Sequence, residues 1–251
     1  AEREETLAQG ERMRRVNDTN QQFTLAVDSS LGGMKAGQAL LARPAGSDQW
    51  SPYLRQTWFP AALSKTWIAV ERPVAERYEP GQTISLIGPV GKPLRFKRTL
   101  RNVLLLVYDT DPGPLLLTMP ALVANQVSVT LLMLGSAADY GTEHLPAEIE
   151  IVKGDADLNW PNRVTTVGWA DQVFCVVAPD DELGRFMRIY RVFEELRADV
   201  PANMLFGVFR PVLPCGTGAC QTCLVRTRGG GLQAICTDGP AFDLTTLQGN
   251  G

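Results

Sequence analysis

Three cysteines within nine residues and a fourth thirteen positions further on constrain this chain more than any other feature: Cys215-Gly-Thr-Gly-Ala-Cys220-Gln-Thr-Cys223, then Cys236. Gaps of four and two residues followed by a distant fourth cysteine are the spacing with which four thiolates hold a [2Fe–2S] cluster. A loop around two bridged irons must curl tightly and turn backbone N–H groups towards negatively charged sulfur. Gly216 and Gly218 permit the curl, because glycine takes up positive φ without steric cost, and Thr217, Ala219 and Thr222 are small enough to leave room. Leu224–Thr227 reads as a strand leaving the loop, Gly229–Gly231 as a hairpin turn, and Leu232–Ile235 as the strand that returns Cys236 to the other three. Structural zinc also takes four thiolates. Zinc sites usually pair two separated C-x-x-C knuckles, however, and only one is present, so the cluster is the stronger reading and zinc the alternative.

The single histidine, His144, excludes a Rieske centre, which needs two, and it reads as a surface-loop residue. The fifth cysteine, Cys175, lies in the apolar run Val173–Val177 and reads as a buried thiol. A formal charge of -3 leaves no electrostatic footprint for nucleic acid or an anionic membrane. No apolar run is long enough to span a bilayer, and the opening Ala1-Glu-Arg-Glu-Glu-Thr6 is too charged for a secretory signal. A reducing cytoplasm is therefore the expected setting.

Residues 1–100 read as a β-barrel domain. Strands are expected at Gln22–Val27, Gln38–Ala42, Thr66–Val70 and Thr83–Ile87, with Gly88-Pro-Val-Gly91 as a tight turn between barrel strands. The charged opening dozen residues are expected as a solvated helix or a disordered lead. Near residue 100 the pattern changes. Asn102–Val107 is a continuous apolar run, as in a strand buried on both faces of a parallel sheet. A helix follows over Pro114–Gln126, then strands at Val127–Leu134, Ile149–Val152 and Gln172–Val177, an amphipathic helix over Glu182–Ala198, and a strand at Met204–Phe209. Alternation of this kind predicts an α/β nucleotide-binding-like domain over 101–209, with the cysteine segment occupying 210–251.

This order of parts resembles the ferredoxin–NAD(P) reductase superfamily and, more narrowly, the electron-transfer subunit of B-type dihydroorotate dehydrogenase. The likeness is carried by Cys215–Cys223, by Cys236-Thr-Asp-Gly-Pro-Ala-Phe242, and by Tyr78-Glu-Pro-Gly-Gln82 leading to Gly88–Gly91. It spans roughly residues 20–244. The resemblance implies a ferredoxin reductase-like fold in which FAD sits in the barrel and NADH docks on the α/β domain. A [2Fe–2S] cluster on Cys215, Cys220, Cys223 and Cys236 would then pass electrons to a dihydroorotate dehydrogenase-like catalytic subunit in a hetero-oligomer.

The sequence departs from that pattern at both nucleotide sites. Arg55 stands where the flavin motif's arginine belongs, but Gln56-Thr-Trp-Phe59 runs into Pro60-Ala-Ala62 with no hydroxyl in register. Trp58, Phe59 and Trp67 could stack on a flavin or serve as core. Where the family has a glycine-rich phosphate loop, this chain has Tyr108-Asp-Thr-Asp-Pro-Gly113, whose carboxylates would repel a pyrophosphate and whose role is expected to be helix capping. The turn that closes the nicotinamide pocket appears as Val177-Ala-Pro179. FAD is thus left open and NAD disfavoured. The expected role is an electron-transfer component rather than a stand-alone catalyst, the rivals being a self-contained flavin reductase and a zinc-stabilised assembly subunit. Arg210, Arg226 and Arg228 read as scattered surface arginines, with a basic docking rim as their alternative.

Overall fold

The structure is a computed structural model that describes residues 5–45 and 55–248. Seven strands build the first sheet: β1 (Glu5–Arg15), β2 (Asn20–Ala26), β3 (Ala39–Pro44), β4 (Gln56–Trp58), β5 (Pro60–Leu63), β6 (Trp67–Pro73) and β7 (Thr83–Val90). Their order is β4-β3-β7-β1-β2-β6-β5, antiparallel throughout. Phe23, Leu25, Leu40, Trp58, Ile68, Ile84 and Leu86 fill one side of it. The opening segment is neither a helix nor a loose lead. From Glu5 onward it is a strand at the centre of the sheet, paired with β2 and β7, and residues 1–4 lie outside the described residues. Its inward positions are Ala8 and Gly10, and the Phe23 ring occupies the space a side chain at Gly10 would need.

The second sheet begins with β8 (Asn102–Tyr108), β9 (Ser128–Leu134), β10 (Glu150–Gly154), β11 (Gln172–Val177) and β12 (Leu205–Val208). Between them lie α1 (Gly113–Leu116), α2 (Thr118–Ala124), α3 (Arg163–Trp169) and α4 (Glu182–Leu196). The helix expected over Pro114–Gln126 is broken at Leu117. Pro120 is the cause: it has no N–H for the Leu116 carbonyl, and its ring crowds that group. By contrast α4 follows its pattern, burying Phe186, Ile189 and Phe193, with the Asp181 carboxylate accepting the Gly184 N–H at 3.1 Å to cap its start.

Beyond β12 come the cysteine loop, the hairpin of β13 (Leu224–Arg226) and β14 (Leu232–Ala234), the single turn α5 (Ile235–Asp238), and β15 (Ala241–Asp243). The sheet order is β10-β9-β8-β11-β12-β15, parallel except for β15, which pairs antiparallel with β12. The cysteine segment is therefore bonded into the edge of the α/β sheet. No helix among the described residues is long and apolar enough to cross a membrane.

His144 lies in a loop as expected, but its ring is turned inward and mostly covered. Its Nε2 lies 3.0 Å from Glu71 Oε1 on β6 and 3.1 Å from the Tyr140 hydroxyl, which itself donates to Glu71 at 2.6 Å. These contacts and the Asn17 amide, which donates to the Gly141 carbonyl at 3.0 Å, tie the two sheets together. Burial, followed by the charge of Glu71, pushes the Tyr140 hydroxyl well above its ordinary pKa.

Candidate iron-sulfur site

All four cysteines of the segment are free thiols, with Cys223 and Cys236 buried, Cys215 partly buried and Cys220 exposed. Cys215 lies near enough to Cys220, and Cys236 to Cys223 and Cys215, for each to feel the other's charge or hydrogen bonds. Backbone N–H groups are aimed at sulfur, Thr217 towards Cys215 Sγ at 3.5 Å and Gly218 towards Cys236 Sγ at 3.1 Å. Gly216 (φ +66°) and Gly218 (φ +81°) supply the left-handed conformations that turn those groups inward. Burial opposes ionisation of Cys215, but the N–H groups of Cys220 and Thr217 outweigh it and lower this thiol to about 6. Burial and the Cys223 thiol push Cys236 up to about 12. Among the described residues, no three His, Cys, Asp or Glu side chains gather as they would around one ion.

The first sheet holds this loop in place. A Cβ on Gly216 would press against Val90 at 2.9 Å and Leu41 at 3.0 Å, so the loop lies directly on β7 and β3. Gly91 donates its N–H to the Cys236 carbonyl at 2.9 Å, and Lys92 donates to the Gly239 carbonyl at 2.5 Å. Lys92 also pairs with Asp238 at 3.1 Å, and Ile235 donates to the Cys223 carbonyl at 2.8 Å. Gly88–Gly91 is thus not a turn between barrel strands. It ends β7 and abuts the backbone of the fourth cysteine, a role the residues alone did not disclose although the motif had stood out as a landmark.

Residues 211–248 match the family described as the iron-sulfur cluster binding domain of dihydroorotate dehydrogenase B. No curated protein matches the sequence. Among solved structures, an NADH-dependent reduced ferredoxin–NADP oxidoreductase studied for flavin-based electron bifurcation superposes with a TM-score of 0.73 at 16% identity, covering 97% of this chain and 90% of that one. The FAD/NAD binding domain of a Vibrio cholerae nitric oxide dioxygenase gives 0.60 at 13% identity over 82% of this chain and 98% of its own. The cytochrome b5 reductase domain of Ulva prolifera nitrate reductase gives 0.58 at 12% over 80% and 97%. The fold is ferredoxin reductase-like. It carries an iron-sulfur domain of the dihydroorotate dehydrogenase B kind at its end.

In this reductase-like fold the cleft between the two sheets measures about 390 Å3 and is lined by Arg55, Thr57, Phe59, Glu71, Asp111 and Arg210. Arg55 is buried and committed to its own sheet: it donates to the Ser85 carbonyl at 3.0 Å, to the Ser85 hydroxyl at 2.8 Å, and to Glu5 at 3.0 Å. Trp58 is core, its indole N–H donating to Gln56 at 2.8 Å, and so is withdrawn from stacking in the cleft.

In the reductase-like α/β domain the loop after β8 keeps its acids engaged. Asp109 (φ +54°) accepts the Ser136 N–H at 3.1 Å and pairs with Arg185 at 2.7 Å. Asp111 accepts the Gly113 N–H at 2.9 Å and pairs with Arg210 at 3.2 Å. Only Asp111 serves the start of a helix, whereas Asp109 joins the ends of β8 and β9 to α4. Arg210 points inward, and its N–H meets Glu182 at 2.7 Å, so it forms no docking rim. Arg226 and Arg228 are exposed, the latter donating to the Leu247 carbonyl at 3.1 Å and lying over the Tyr190 ring at 5.7 Å.

Proposed function

We propose that the chain is the electron-transfer subunit of a larger oxidoreductase and that Cys215, Cys220, Cys223 and Cys236 ligate a [2Fe–2S] cluster. The observation that carries this reading is the four-cysteine segment, matched to an iron-sulfur cluster binding domain, with backbone N–H groups aimed at Cys215 and Cys236 sulfur. A structural zinc usually draws its thiolates from two separated C-x-x-C knuckles, and this segment has one. Such a cluster supplies one-electron chemistry. The chain's own part is to hold four thiolates, to stabilise their charge through the N–H groups of Thr217 and Gly218, and to seat the loop on β7 and β3.

The parts divide as a β domain over 1–100, an α/β domain over 101–209 and a cluster segment over 210–251. NADH is not a ligand in this reading, because Asp109 and Asp111 already occupy the donors that a pyrophosphate would use. The partner suggested by the likeness of residues 211–248 is a dihydroorotate dehydrogenase-like catalytic subunit, met in the cytoplasm as a hetero-oligomer. A second reading, a reductase that keeps its own FAD, is favoured by the cleft between the sheets.

One anaerobic preparation separates them through its visible spectrum and its content of iron, acid-labile sulfide, zinc and released flavin. Two irons and two sulfides without flavin are expected. Equimolar flavin with NADH-to-dye turnover would establish the second reading, and zinc without sulfide would overturn both.

A further inference from the structure

The linker between the two sheets is the most one-sided stretch of charge in the molecule. Lys92, Arg95, Lys97, Arg98 and Arg101 fall within ten residues, and no Asp or Glu occurs from Pro80 through Tyr108, in a chain whose net charge is -3. Four of the five are exposed, and Lys97 is partly so. The neighbouring acids are engaged. Asp238 pairs with Lys92 at 3.1 Å, Asp171 accepts the N–H groups of Arg101 and Asn102 at 3.0 and 2.9 Å, and Asp243 accepts from Asn203 and Thr245 at 2.6 and 3.0 Å. Arg95, Arg98 and Arg101 make no ion pair with the described residues.

This strip is also preorganised. The buried Gln172 side chain accepts the Lys97 N–H at 3.2 Å and donates to the Arg95 carbonyl at 3.1 Å. The exposed Phe96 ring meets Phe174 edge-on at 5.2 Å. Beside the strip runs a cleft of about 520 Å3, whose far wall includes Asp238, Gly239 and Phe242. That wall follows the fourth cysteine in the chain: Gly91 donates its N–H to the Cys236 carbonyl, and Lys92 donates to the Gly239 carbonyl.

From this placement we infer that the Lys92–Arg101 strip is the docking face for a redox protein presenting an acidic surface, held so that its centre lies beside the Cys236 edge of the cluster. The inference rests on the electron-transfer reading. Fixed cations around an exposed aromatic anchor suit steering followed by apolar contact. Net charge and strip predict opposite behaviour. An acidic partner is repelled by the whole molecule and attracted by the strip, so salt dependence decides which governs encounter.

The test follows electron transfer from the reduced, cluster-loaded full chain to two probes, acidic cytochrome b5 and basic cytochrome c, by stopped flow across ionic strength. Cluster content is assayed on every sample. The rate to cytochrome b5 is expected to fall as salt rises, and Arg95→Glu/Arg98→Glu/Arg101→Glu to lower it roughly 10- to 100-fold at low salt. The rate to cytochrome c should not fall in that variant. The milder Arg95→Gln/Arg98→Gln/Arg101→Gln gives a smaller loss of the same sign and covers the case in which charge reversal impairs folding. A cytochrome b5 rate that rises with salt, equal losses for both probes, or charge reversal without effect in a loaded chain overturns the inference. Salt-sensitive binding of duplex DNA that these variants abolish would also overturn it, in favour of a polyanion. Absence of the cluster from the wild-type chain defeats the electron-transfer reading itself, and this inference with it.

Discussion

The cysteine loop and the loop after β8 both gather backbone N–H groups around negative charge, and they differ in where that charge comes from. In the β8 loop it is already present: Asp109 and Asp111 take the N–H groups of Ser136 and Gly113 and pair with Arg185 and Arg210. In the cysteine loop the acceptors are sulfurs: the N–H groups on Cys215 draw it towards the thiolate, whereas Cys236 stays protonated unless a metal displaces its proton. One loop is complete without a ligand, and the other is half of a site. The same fold thus holds two such loops, one whose N–H groups are taken by its own carboxylates and one whose N–H groups face sulfur.

Breaking the cysteine segment at its most buried thiol has the largest expected effect. Cys236→Ser replaces a soft thiolate with a poor hydroxyl ligand, and stoichiometric iron and sulfide should be lost along with the visible absorption. Next is the curl. Gly216→Ala places a methyl against Val90 and Leu41 at φ +66°, whereas Gly218→Ala at φ +81° meets nothing nearer than Thr237 at 3.4 Å. The expected cost is about 2–3 kcal/mol for the first and about 1–2 kcal/mol for the second, by urea unfolding of the loaded protein. Equal costs would mean that the first sheet does not seat the loop.

The acidic loop is broken at Asp109. Asp109→Ala removes the Arg185 partner and the Ser136 acceptor, and it puts a β-carbon with no local hydrogen bond at φ +54°. A loss of about 2 kcal/mol is expected, with Asp109→Gly recovering up to about 1 kcal/mol of it by relieving the backbone. Calorimetric titration of the wild type with NADH should give no binding heat. Binding that Asp109→Ala abolishes would mean the acids assist the nucleotide rather than replace it.

The contrast between the loops also marks what the chain discloses in one dimension. Cys215–Cys223 and Cys236 stand out because their spacing is a local property, and β8, β11 and α4 are legible because continuous or helical apolar periodicity survives in sequence. The strand β1 hides because its inward residues are Ala8 and Gly10, made small by the Phe23 ring of the adjacent strand. His144 looks exposed because its burial is created by Glu71, seventy-three residues away, on the other sheet. Likewise the seat of the cysteine loop on Leu41, Val90 and Gly91 depends on long-range packing that no window of sequence contains. The acids at 109 and 111 are visible as charge, but their arginine partners at 185 and 210 are not visible as partners.

Arg210, on the segment leading to the cysteine loop, ties it to the β8 loop through Asp111 and to the start of α4 through Glu182. The Glu182 carboxyl shares a cleft with Cys223 and Phe209. Burial pushes this carboxyl up to about 7 from its ordinary 4.5, against the opposing pull of Arg210. Between those pH values the folded protein keeps a proton that the unfolded chain has released, so this group's contribution to stability falls as pH rises from about 4.5 to about 7 and is constant above. Glu182→Gln preserves an acceptor for the Arg210 N–H and cannot ionise. Its stability should match the wild type near the lower end of that window and exceed it by about 1–2 kcal/mol above the upper end. Urea midpoints measured across the window at matched cluster content read the difference directly. A gap that is constant with pH would mean that the carboxyl ionises as it does in water and that the cleft beside Cys223 is wet. A gap that opens as pH rises identifies Glu182 as an acid that burial at this junction keeps protonated.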